Sequence, residues 1–136
     1  MRFLSIAALI TSIATSVGAQ EPIFDNYISM RGEMDRLMMN RNIPELMIKF
    51  GGADEMTKEQ LDRLDAQVGQ LYPNDFEHVA VIRRGALEGG FQQELLSYWT
   101  GIAYVYAYVL YHDRGNEMVA INFRFNSDFT TLNSLF

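Results

Sequence analysis

Three tyrosines, Tyr104, Tyr106 and Tyr108, are spaced two apart in an apolar stretch, and Asn122 and Arg124 follow at the same spacing. In extended chain such spacing puts each set on one face of a strand. A row of phenols beside an amide and a guanidinium is too apolar to stay bare and too polar for a core. Surfaces of this kind become partner interfaces or line ligand pockets. Met30, Met34 and Met38 fall at i, i+4 and i+8, a thioether stripe that could hold Cu(I) or equally serve as flexible core filler. His78 and His112 are the two imidazoles, too isolated for a metal motif, and no serine sits in a nucleophile elbow. With no cysteine there is no disulfide, thiolate zinc site, thiol nucleophile or lipidated cysteine. Gly51-Gly52 and Gly89-Gly90 read as helix stops or turns, since neither pair opens a phosphate-binding helix. No cofactor is implied.

The positioning elements begin after an address. Met1-Arg2 is a short basic start, Phe3 to Ala14 is mostly apolar, and Val17-Gly18-Ala19 offers small residues where a signal peptidase reads. Cleavage is expected after Ala19, leaving a single domain over residues 20–136 that is periplasmic or secreted. The apolar segment, interrupted by Ser5, Thr11 and Ser12, is shorter than the ~20 residues of a membrane-spanning helix. Ile102 to Tyr111 is the longest later apolar run and is also too short, so no span is expected once the leader is removed. The full chain carries a net charge of -6. An acidic surface of this sort argues against a nucleic-acid partner.

From Phe24 to Met39, apolar Phe24, Tyr27, Ile28, Met34, Leu37 and Met38 recur at helical spacing. Asn42-Ile43-Pro44 predicts a second, short helix ending near Phe50 at Gly51. Thr57-Lys58-Glu59-Gln60 has the spacing of a capping box and predicts a third, with Leu61, Leu64, Val68 and Leu71 inward. After Pro73 the period changes to two. Strands are expected over Val79–Ile82, over one long stretch from Gln92 to Tyr111, and from Met118 to Phe129. Helices first and an antiparallel meander afterwards define an α+β fold, with N-terminal helices packed against the C-terminal sheet.

The last hairpin sets the register of the tyrosine row. A three-residue loop, Asp113-Arg114-Gly115, would place Gly115 where a positive φ is needed and set His112 opposite Asn116. Val105 and Ala107 would then share an apolar face with Ile121 and Phe123, opposite a face bearing Tyr104, Tyr106, Tyr108, Asn122 and Arg124. A loop of two or four residues would instead bury the tyrosines against the phenylalanines, because a one-residue slip inverts a strand. The third helix or the segment before Pro73 is the expected cover if the tyrosine face is not a binding surface.

The helices FDNYISMRGEMDRLMMN and TKEQLDRLDAQVGQLY and the hairpin GIAYVYAYVLYHDRGNEMVAINFRF together resemble the cystatin-like and nuclear-transport-factor-2-like proteins. The resemblance rests on organisation over residues 21–136 and not on a short signature. It implies a bent sheet cupped around a helix, frequent dimerisation through the sheet, and a pocket in the cone between sheet and helices. Relatives resembling steroid isomerases pair an acidic base with a phenol, but no Asp here matches that base. Asp113 falls in the hairpin turn, and Asp75 and Glu77 at a strand entry. The expected function is a soluble exported binding module without catalysis, using the tyrosine face for a homodimer, a protein partner or a small apolar ligand. An isomerase-like enzyme and Cu(I) binding at Met30, Met34 and Met38 are the alternatives.

Overall fold

The computed structural model describes residues 21–51 and 55–136. Its elements are β1 (Ile23–Phe24), α1 (Tyr27–Met39), α2 (Ile43–Lys49), α3 (Lys58–Leu71), β2 (His78–Ala86), β3 (Phe91–Thr100), β4 (Ala103–Asp113), β5 (Met118–Asn126) and α4 (Phe129–Asn133). The strands form one antiparallel sheet in the order β1-β5-β4-β3-β2. Helices α1 to α3 cover one face and α4 packs on the other. This is the α+β organisation expected, with the meander following the helices. Among the described residues no helix is long and apolar enough to cross a membrane.

Each N-terminal helix starts at a side-chain cap. Asn26 accepts the Ser29 N–H at 2.9 Å, Asn42 accepts that of Glu45, and Thr57 and Gln60 complete a reciprocal capping box. The first helix begins at Tyr27, because Ile23 and Phe24 instead pair with Val119 and Met118 of β5. Its buried stripe is Met30, Met34, Leu37 and Met38, whereas Ile28 is 81% exposed. The three thioethers therefore lie inside the main core with Ile43, Leu46, Leu61, Leu96, Tyr98 and Phe123. In α3, Leu61 and Val68 are buried and Leu64 packs at the margin, but Leu71, expected inward, is 65% exposed.

The sheet departs from the sequence reading at two turns. The expected strand from Gln92 to Tyr111 is two strands, folded back at Gly101-Ile102 so that Thr100 pairs with Ala103. Gly101 has φ 57°, a conformation a two-residue hairpin demands and only glycine adopts freely. Tyr98 therefore lies fully buried in the helix-side core opposite Val105, and not beside Tyr104 as expected from one continuous strand. In the β4–β5 hairpin, Asp113 pairs with Met118, so the loop has four residues and His112 faces Val119 in place of Asn116. Gly115 does take a positive φ, 88°, and its N–H donates to Asp113 Oδ1 at 2.9 Å.

A four-residue loop alone would turn the tyrosines into the core. A bulge at Ile121 compensates: Tyr111 pairs with Ala120, but Leu110 pairs with Asn122. The extra residue restores the expected partition further along, with Ala107 and Val109 beside Phe125 and Phe123, and Tyr108 beside Arg124. Ile121, expected on the apolar face, is pushed out to 50% exposure. A second bulge, at Ile82, sends Arg84 towards the helix layer and Arg83 to the outer face.

Candidate functional site

The last strand stops at Asn126, short of the expected Phe129. Asp128 then caps α4 by accepting the Thr130 N–H and the Thr131 hydroxyl, hydrogen bonds that hold its carboxyl below the usual range. This C-terminal helix, not α3 or the segment before Pro73, covers the tyrosine row. Tyr106 meets Phe129 edge-on with centroids 5.7 Å apart, and Tyr108 meets Phe136 the same way. Tyr108 is buried with Leu95 and Leu132, and burial raises its phenol above the ordinary tyrosine range. Arg83 clamps the cover, donating to Asn133 Oδ1 at 2.6 Å and lying over the Phe136 ring. Tyr104 alone of the row is well exposed, at 43%, stacked on Trp99, which is stacked in turn on His78. His112, near the end of β4, is stacked on Phe91 at 4.0 Å and hydrogen-bonded to the Gly89 carbonyl.

Asn122 and Arg124 occupy a different place. They line a groove of about 600 Å3 on the free side of β5. One wall is built by Met47 of α2, Leu64 of α3 and the acidic Glu55, and the other by Thr131 and Leu132 of α4; Phe123 and Phe125 lie between. Arg124 is exposed and makes no ion pair among the described residues. A groove of mixed polar and apolar lining, with the Arg124 cation on one side and the Glu55 carboxylate on the other, can hold an amphipathic body whose acceptor group lies at Arg124.

A polar knot lies on the helix side of the sheet, in none of the positions singled out from sequence. Glu94 of β3 is only 2% exposed. Tyr27 donates to both of its oxygens at 2.9 Å, and Tyr111 donates to Oε2 at 3.1 Å. Arg31 approaches Oε1 at 3.4 Å and Arg84 approaches Oε2 at 3.5 Å. Arg31 also donates to the Tyr27 hydroxyl and pairs with Asp35, which accepts from Tyr98 at 2.7 Å. Burial first, and then the neighbouring carboxylates of Asp35 and Glu94, raise the phenols of Tyr98 and Tyr111 well above the ordinary range. A shallow cleft of about 290 Å3, lined by Tyr27, Arg84, Gln92, Glu94, Tyr111 and Asp113, opens onto the knot. It holds an acid beside phenols, but both carboxylate oxygens are already engaged by donors.

The sequence signal for the knot was available and weak: Glu94 and Tyr98 alternate with apolar residues on the inward side of β3, and Tyr27, Arg31 and Asp35 repeat every four residues. The groove walls had no signal, because they arise where three helices meet one edge strand. No family model, curated protein or solved structure matches the chain.

Proposed function

We propose that the protein is an exported binding module without catalysis, and that its ligand site is the groove beside β5. Export rests on the leader-like layout of Met1 to Ala19. The observation that carries the site is the groove itself. At about 600 Å3 it has the size of a ligand pocket, and it sets Arg124 and Asn122 beside the apolar Phe123, Phe125, Met47, Leu64 and Leu132, with Glu55 on the helix-side wall. The ligand class is an apolar molecule or segment bearing an anionic group. Arg124 and Asn122 belong to the surface expected from sequence; Tyr106 and Tyr108 act from beneath by seating α4, whose Leu132 forms a wall.

An isomerase-like second reading is favoured by one observation, the acid–phenol contact at Glu94. Against it, Glu94 is surrounded by two phenols and two guanidinium groups, which suits a carboxylate that ties α1 to the sheet better than one that accepts a substrate proton.

The test uses decanoate, a ten-carbon fatty acid anion, titrated into 15N-labelled mature protein. The expected result is amide shift changes at Met47, Leu64, Ile121 to Asn126, Thr131 and Leu132, with Arg124→Ala weakening binding about fivefold, as expected for one partly exposed ion pair. Shifts confined to the cleft at Glu94, or none at millimolar decanoate, would remove the groove as a site for a small apolar anion.

A further inference from the structure

Resting on the groove as the binding site, we infer that its natural occupant is an extended polypeptide strand from a partner, added antiparallel to β5 and carrying an acidic side chain opposite Arg124. The fold already uses this edge in that way. Strand β1 lies antiparallel along it at Met118 and Val119, and the Ala120 N–H donates to the Pro22 carbonyl at 2.9 Å. There β1 ends, and the bulge at Ile121 follows. From Asn122 to Asn126, β5 pairs with β4 on one side, and among the described residues no backbone group pairs with it on the other. Unpaired N–H and C=O groups of an edge strand accept an added strand readily.

The side walls state what kind of strand fits. On β5, Phe123 and Phe125 point to the helix layer, and Asn122, Arg124 and Asn126 to the opposite face. Residues of an added strand share the face of the residues they oppose. Alternate side chains of the guest therefore meet Met47 and Leu64 on one side, and Thr131 and Leu132 on the other. The position opposite Arg124 faces the Thr131 wall and meets a guanidinium with no ion pair among the described residues, so an acidic residue fits there, whereas Glu55 on the helix-side wall disfavours acid at the neighbouring positions. Walls on both sides admit a single strand more easily than the edge of another folded sheet, which argues for an extended segment over a second copy of this chain.

The probe is the blocked peptide Thr-Val-Glu-Val-Thr, acetylated and amidated, whose valines would oppose Phe123 and Phe125 and whose glutamate would oppose Arg124. The expected result is amide shift changes and slowed hydrogen exchange confined to Ile121 to Asn126, abolished when the three central peptide nitrogens are methylated. Arg124→Glu should weaken this peptide about fivefold and prefer the version with lysine in place of glutamate. Arg124 is exposed, so this variant folds as the parent does. If decanoate binds and the peptide does not, or if the N-methylated peptide binds equally well, the added strand is refuted and the groove stands. If neither probe binds, the groove falls as well.

Discussion

Replacing Glu94 by Leu separates a structural carboxylate from a chemical one. The substitution keeps roughly the side-chain volume but strips the acceptor from the Tyr27 phenol, leaves the Tyr111 phenol only the Gln92 amide oxygen at 3.3 Å, and takes one partner from Arg31. Each buried hydroxyl left without an acceptor costs about 1–3 kcal/mol. Removing the partner of a buried charge costs about 3–5 kcal/mol when nothing replaces it, yet Arg31 retains Asp35 at 3.2 Å and the Arg84 side chain is largely exposed, so that share is small. With Tyr27 stranded and Tyr111 held only by Gln92, a total loss of about 2–3 kcal/mol follows, a sizeable part of the stability of a domain this size. The diagnostic variant adds Tyr27→Phe and Tyr111→Phe to Glu94→Leu. With the stranded donors gone, about half of the loss should return, because removing both partners of a hydrogen bond is nearly neutral where removing one is not. Urea unfolding of the single and triple variants gives both numbers. A loss below about 1 kcal/mol for Glu94→Leu, or a triple variant no more stable than the single one, would refute the knot as the link between α1 and the sheet and revive the acid at Glu94 as a chemical group.

Two further outcomes follow from the same interior. The Tyr98 and Tyr111 phenols are raised above their unfolded value, so their contribution is complete below about pH 10 and is lost as pH rises towards their folded values. The urea midpoint should therefore fall steeply above pH 10 and less steeply in Tyr98→Phe; a midpoint flat across that range contradicts the assignment. Ser97 is buried on β3, and its hydroxyl finds no partner among the described residues. Ser97→Ala should thus stabilise by about 1 kcal/mol in the same unfolding assay, and a destabilisation of that size would mean the hydroxyl is engaged.

Local rules carried the helices well. Caps at Asn42 and Thr57 are visible because a side-chain oxygen and the N–H groups it satisfies lie within one turn of sequence. The sheet was harder, since register is a long-range property. Gly101 lies inside a run of β-formers that conceals its turn signal, and the hairpin it closes puts Tyr98 in the core and not on the side of the sheet bearing Tyr104. For β5 the loop is one residue longer than expected, and the Ile121 bulge offsets the difference; Tyr108 and Arg124 share a face for a reason other than the one expected. Helix α4 escaped because Phe129 continued the apolar pattern of β5, while Asp128, its cap, is a one-residue signal. Legibility of the candidate site follows the same division. Asn122 and Arg124 are legible as candidates from their own chemistry, and the walls that set them in a groove come from residues far away in sequence.

The two edges of the sheet differ in a way that supports the binding role proposed for β5 over one at β2. Strand β2 is defended along its length: a bulge at Ile82 breaks its regularity, and Arg83 and Arg84 put two charges beside it. One of those charges locks α4 through Asn133 and the other approaches Glu94, so both edge guards are also tied into the fold. Strand β5 is defended differently. Its first residues are covered by β1, which among the described residues reaches as far as Ala120 through Pro22, and the stretch from the Ile121 bulge to Asn126 lies between the helix layer and α4. Those walls hinder the approach of a flat sheet, which is the route to edge-to-edge aggregation, but leave room for one chain. If walls and not charge are what protect this edge, shortening Leu132 to Ala should increase concentration-dependent association more than neutralising Arg124 does. The reverse order in sedimentation would show that Arg124 is only a guard against aggregation and has no ligand to meet.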